Sequence, residues 1–145
     1  ARLAAQGLDG LPDHVPNHEP AGSDHRYPLA MISPPARNFL NSTFVNVQSL
    51  RDIEGEPVLE ISEADAVARG IATGDVVRVF NDRGCYHCKA TVSSRARSGV
   101  VNGLGIWWRK LGLNGTNVNE VTSQKLTDLG RAPVFYDCLV EVAGL

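Results

Sequence analysis

The chemically suggestive residues fall into three groups. The first is "CYHC", residues 85–88, a Cys-x-x-Cys with His87 inside it. Such a pair grips zinc or forms a redox disulfide only if both sulfurs reach one point, and thiol zinc sites need further ligands of the same kind. The run lies in a stretch patterned as a strand, where residues three apart point to opposite faces, so Cys85 and Cys88 do not converge without a turn. His14, His18 and His25 form a second group, on a Pro-punctuated segment without a nearby cysteine, which is a poor ligand set. No Ser, Cys or Thr stands in a recognisable nucleophile relay, and "GIATGD" and "NGLGIWW" lack the lysine and spacing of a phosphate loop.

The third group consists of two polar loops. "SPPARNFLNST" presents Ser33, Arg37, Asn38, Asn41 and Ser42, and "NGTNVNEVTS" presents Asn114, Asn117, Asn119 and Thr122. Asn amides both donate and accept hydrogen bonds. Loops rich in them suit holding a polar heterocycle with amide, amine and phosphate groups, and carry no reactive group of their own. The same residues also build ordinary turns, Asn114-Gly115 above all. Trp107 and Trp108 stand close before the second loop; on an extended segment one faces the core while the other is left for a ligand or partner.

The surrounding elements are those of one β-rich domain. The 145 residues are 43% hydrophobic, enough for a single core. With 14 Lys plus Arg against 16 Asp plus Glu, no overall positive field exists to hold nucleic acid. No apolar run approaches the roughly 18–20 residues of a membrane span, so no membrane insertion is expected. Three cysteines are too few for a disulfide scaffold and fit a reducing, cytoplasmic setting better than a periplasmic one.

Residues 1–26, with Pro12, Pro16 and Pro20 at intervals of four, read as an extended arm or interdomain linker with a solvated surface. From Tyr27 onward, "YPLAMIS" predicts a first strand whose exit is set by Pro34 and Pro35. "EPVLEIS" predicts a second, with Leu59 and Ile61 on one face. "SEADAVARG" predicts a short helix with Ser62 as N-cap, Asp65 as its capping-box partner and Gly70 as the left-handed stop. Strands over 76–80 and 85–92 around an "NDRG" turn, a strand entering "GIWW", and a closing strand in "APVFYDCLVEV" with Phe135, Leu139 and Val142 turned inward complete a mainly β barrel or sandwich.

In order, "YPLAMISPPARNFLNSTF", the stretch from Asp65 to Gly84 (D-A...R-G-I-x-x-G-D-x-V-x-V-x-N-x-R-G), "GIWW" and "NVNEVTSQKLTDLGRAPVFYD" resemble the C-terminal molybdopterin dinucleotide-binding domain of the dimethyl sulfoxide reductase family. The resemblance runs from about Tyr27 to Val142. It implies a six-stranded double-psi β-barrel over residues 27–145, with one or a few short helices. It also implies a role in binding bis(molybdopterin guanine dinucleotide), chiefly its pterin part, with molybdenum or tungsten held by the cofactor and by upstream domains. Carried over residue by residue, the cofactor-binding set is Ser33, Arg37, Asn41, Ser42, Asn117, Asn119 and Thr122, with no catalytic residue and no metal ligand. Asn41 stands where many relatives carry His; an amide replaces a neutral imidazole as a hydrogen-bond partner but takes up no proton, so the resemblance there implies binding. The implied partners are upstream catalytic domains of the same chain and an electron-transfer subunit. The fragment alone is not expected to turn over substrate, whereas the parent chain resembles a molybdopterin oxidoreductase. The competing reading is a free-standing double-psi barrel that recognises a protein or peptide.

Overall fold

In a computed structural model, which describes residues 3–8, 10–11 and 13–145, six strands close into a barrel. They are β1 (Leu29–Ile32), β2 (Val58–Ile61), β3 (Val76–Asn81), β4 (Gly84–Val92), β5 (Val100–Leu104) and β6 (Leu139–Gly144). Around the barrel the order is β1-β5-β2-β4-β3-β6, with β1·β5 and β2·β4 parallel and the other pairs antiparallel. This closed, six-stranded, mainly β architecture agrees with the double-psi barrel implied by the sequence.

The period-two pattern determines which side chains fill the barrel. Leu29 and Met31 of β1, Leu59 and Ile61 of β2, Val77 and Val79 of β3, and Val101 of β5 are all at most 1% exposed. On β4 the inward residues are Tyr86, Cys88 and Ala90, leaving Cys85 half-buried on the other side. Each fully buried aliphatic side chain contributes about 1.5–3 kcal/mol. Burial also pushes the Cys88 thiol up to about 12 and, against the opposing pull of Arg83, the Cys138 thiol up to about 11, so both are inert as thiolates. All three cysteines are free, and among the described residues no three His, Cys, Asp or Glu side chains converge as metal ligands. No helix among the described residues is long and apolar enough to cross a membrane.

Two helices punctuate the barrel. The second, α2 (Glu63–Val67), starts as its sequence requires: the Ser62 hydroxyl accepts from the Asp65 amide at 3.1 Å, and Gly70 takes a left-handed φ of 65°. The Asp65 carboxylate, however, does not return to the Ser62 amide as a capping box would. It accepts from the Ser62 hydroxyl (2.6 Å), the Gly99 amide (2.8 Å) and the Ser98 hydroxyl (3.3 Å), tying α2 to the turn that opens β5. Burial raises the Asp65 pKa, but these hydrogen bonds outweigh it and the net shift is downward. A carboxylate depressed on folding stabilises above its unfolded pKa and loses that contribution as pH falls through the folded value. The urea midpoint of Asp65→Asn is therefore expected below wild type at neutral pH, with the gap closing in strong acid.

The first helix, α1 (Gln48–Glu54), has no side-chain N-cap and buries no residue, so little in its sequence announces it. It is held instead by tertiary contacts: the Asn38 backbone and side-chain amides both donate to Glu54, at 2.5 and 2.7 Å, and Arg51 donates to the Val45 carbonyl at 2.7 Å. The end of the chain departs from expectation. The closing strand begins only at Leu139, and Phe135, expected to point inward, is 40% exposed against Tyr136. Pro133 pairs with Leu126 in an isolated antiparallel bridge, and the Asp137 amide donates to the Val134 carbonyl at 3.0 Å, turning the chain before it joins the barrel. Val142 faces the barrel core beside Val140, whereas Leu139 is buried outside that core.

The arm is not uniformly solvated. Pro12 lies outside the described residues, but farther along Glu19 accepts from Arg83 and from the Leu139 amide, and the His18 amide donates to Asp137. Arg26 bridges Asp24 and Asp82, which also accepts from the Tyr27 hydroxyl.

Candidate functional site

The parallel pairing of β1 with β5 decides where the two polar loops go. Ala30, Met31 and Ile32 lie opposite Val100, Val101 and Asn102 in the same direction, so the chain leaves both strands at one end of the barrel. The segment after β1 and the segment after β5 thus begin side by side, although some seventy residues separate them in sequence. The Gly105 amide donates to the Pro34 carbonyl at 2.9 Å, and Gly105 adopts a φ of +74°. A side chain there would be strained and would place its Cβ 3.0 Å from that of Ala36.

Above this joint lies a second apolar cluster, separate from the barrel core. Ala36, Phe39 and Val45 from the first loop enclose Trp107 from the second, with Leu50, Trp108 and Leu111 packed around them. The Phe39 and Trp107 rings meet edge to face at 5.2 Å. Trp107 is 5% exposed, whereas Trp108 is half-buried and donates its indole N–H to the Ser42 carbonyl at 2.7 Å. Trp107 thus takes the core position, whereas the second ring, expected to be left for a ligand or partner, packs on the same cluster and holds the first loop.

Of the seven candidate residues, some build the platform and some project from it. Asn117 caps the 3-10 turn Val118–Glu120 by accepting from the Asn119 amide at 3.0 Å, and its Nδ2 donates to the Trp107 carbonyl at 2.8 Å. Thr122 is buried and donates to the Asn119 carbonyl at 3.2 Å. Ser33 is also buried, directly after β1. Arg37, Asn41, Ser42 and Asn119 are exposed, and among the described residues their own side chains make no hydrogen bond, although the backbones of Ser42 and Asn119 are engaged. Asn41 has a φ of 53° and Phe44 one of 74°, bracketing a tight turn in which the Leu40 and Thr43 backbones exchange hydrogen bonds. For Phe44 this is a strained conformation of the kind that clusters at ligand-holding loops. The crevice between the second loop and the barrel, lined by Tyr86, Gly103, Trp107 and Asn117, holds only about 10 Å³, room for no more than a water.

Residues 29–139 match the family model of the molydopterin dinucleotide binding domain. The chain belongs to this family. Its relatives include dimethyl sulfoxide reductase DmsA of Escherichia coli, 33% identical over 93% of this chain and 17% of the relative. Dimethyl sulfoxide/trimethylamine N-oxide reductase of Cereibacter sphaeroides is 43% identical over 68% of this chain and 13% of the relative. The chain therefore spans under a fifth of the length of the curated relatives it matches. Among solved structures, acetylene hydratase from Pelobacter acetylenicus superposes over 99% of the chain and 22% of its own length, with a TM-score of 0.82 at 17% identity, a likeness of fold.

Family membership favours the dinucleotide-binding reading over a free-standing recognition barrel. The seven candidate residues are of types that fit such a cofactor: neutral amides and hydroxyls would suit a pterin edge, and Arg37 would offer a cation to a phosphate. The sequence reading did not anticipate that Asn38 serves α1, nor that the exposed Asn114 accepts from the Thr116 hydroxyl and, at 3.4 Å, from the His87 amide. It also passed over Arg109 and Lys110 beside the second loop. Arg109 pairs with Glu120 at 3.1 Å, and Lys110 lies over the Trp108 ring at 5.0 Å. Their only sequence signal is their adjacency to the tryptophans.

Proposed function

We propose that Arg37, Asn41, Ser42 and Asn119 make the direct contacts to the pterin portion of molybdopterin guanine dinucleotide, while Ser33, Asn117 and Thr122 shape the backbone beneath them. The observation that carries this reading is the side-by-side exit of the two segments from parallel β1 and β5 and the apolar cluster they share, with Arg37, Asn41, Ser42 and Asn119 exposed along them. Within the parent protein, residues 27–145 serve as the lid that closes over the cofactor, residues 1–26 lead in from the preceding catalytic domains, and an electron-transfer subunit serves the whole. The relatives' names point to an oxidoreductase. When bound, the cofactor supplies the redox chemistry, and this domain contributes binding and orientation.

The test is Asn119→Ala in the full-length protein, with guanine nucleotide and molybdenum or tungsten content measured after purification. Losing one or two hydrogen bonds to the ligand corresponds to a roughly tenfold weaker hold on the cofactor. Stability should change by no more than about 0.5 kcal/mol, because the side chain is exposed and supports no core. Unchanged nucleotide and metal content would remove Asn119 from the site.

A further inference from the structure

One carbonyl in the second loop receives an unusual number of donors. The Val121 oxygen accepts from Arg83 Nε at 2.7 Å, from Asn81 Nδ2 at 2.9 Å and from the Cys138 thiol at 3.1 Å. Val121 is fully buried and directly precedes Thr122, so this carbonyl pins the segment carrying Asn117, Asn119 and Thr122 to the barrel. Asn81 and Arg83 belong to the β3–β4 hairpin, the N-x-R-G of the sequence. Asn81 Nδ2 also donates to the Leu139 carbonyl at 2.9 Å, and its Oδ1 accepts from the Arg83 amide at 3.0 Å. The glycine that ends the motif is equally committed, since a Cβ on Gly84 would lie 3.0 Å from the Glu120 carbonyl oxygen.

The remaining donors of Arg83 turn to the arm, apart from a contact of Nη2 with the Cys138 sulfur at 3.6 Å. They bond the two Glu19 oxygens at 2.5 and 3.1 Å, and Glu19 also accepts from the Leu139 amide at 2.9 Å. The pair is mostly covered, with side-chain exposures of 32% for Arg83 and 19% for Glu19. One planar guanidinium thus spans from the entry arm to the polar loop, a geometry that the compact ammonium of lysine does not reproduce.

Resting on the proposed role of the second loop, we infer that Asn81 and Arg83 are positioning residues for that loop. Glu19 couples the seating of the entry arm to it through Arg83. Docking the arm fixes the guanidinium, the guanidinium fixes the Val121 carbonyl, and the carbonyl fixes the backbone on which Asn119 is presented. The arm therefore influences cofactor retention without touching the cofactor.

Hydrogen exchange on the full-length protein reads this directly, with peptides covering residues 117–123 compared with peptides covering β2. Glu19→Gln keeps an acceptor for the Leu139 amide but gives up the ion pair, and Arg83→Lys keeps the charge but gives up the fork. Each is expected to speed exchange at 117–123 about fivefold or more, leave β2 unchanged and lower guanine nucleotide content. Unchanged exchange at 117–123 in Glu19→Gln would overturn the coupling. Equal acceleration in β2 would also overturn it, by reducing the cluster to general stability. Exchange judges the clamp whether or not the loop amides touch cofactor, whereas the content of Asn119→Ala judges that contact separately.

Discussion

Trp107→Ala is expected to cost about 3–5 kcal/mol and to strip the full-length protein of most of its cofactor. The indole fills the centre of the apolar cluster shared by the two loops and is 5% exposed. Its removal leaves Phe39 without its edge-to-face partner, and Ala36 and Val45 facing a cavity that the short loop segments do not readily close. The damage should be local in character, because this cluster is separate from the barrel core built on Leu59, Ile61, Val77 and Val79. Far-ultraviolet circular dichroism should retain the β signal while the urea midpoint drops and guanine content falls. Trp107→Phe, which keeps an aromatic plug, should lie between wild type and the alanine variant. Full cofactor content in Trp107→Ala would mean that the loops hold their binding geometry without the cluster, contrary to the platform described above.

The sequence revealed the strands more readily than what joins the loops. The alternation in "VLEI" and "VVRVF", the Ser62 cap and Gly70 stop, and the turn at Asp82 carry their instructions locally, and the structure follows them. The two polar loops could be singled out by composition. Their adjacency depends on parallel pairing of β1 with β5, a nonlocal contact that periodicity does not encode. Similarly, "NDRG" reads as a turn because its neighbours are strands, yet Asn81 and Arg83 spend their side chains on Val121, some forty residues away. The error at Phe135 has the opposite origin. Alternation continued through Pro133 to Asp137, and turn chemistry there overrode it. Helix α1 was missed because it has no side-chain cap or continuous apolar stripe, and its hold comes from tertiary contacts of Glu54 with Asn38, of Arg51 with the Val45 carbonyl and of Leu50 with the second apolar cluster.

Replacing Gly103 with Ala tests how closely the barrel supports the second loop. Gly103 is buried on β5, and a Cβ added there would lie 2.7 Å from the Tyr86 hydroxyl, 3.3 Å from Val118 Cγ2 and 3.7 Å from Met31 Sδ. Tyr86 is 4% exposed, with its hydroxyl 3.7 Å from Met31 Sδ, so the ring cannot swing away at low cost. Overpacking of this kind costs about 1–3 kcal/mol, and the strain is directed at Val118, the first residue of the 3-10 turn that presents Asn119. Gly103→Ala should therefore lower the urea midpoint and loosen the turn together. Tyr86→Phe removes the nearest obstructing atom and leaves contacts of 3.3 Å and beyond, which neighbouring side chains can absorb with small shifts. The double variant should recover more than half of the loss, a coupling of about 0.5–3 kcal/mol between two residues in contact. Additive costs would show that the hydroxyl is not the obstruction and that β5 itself has shifted.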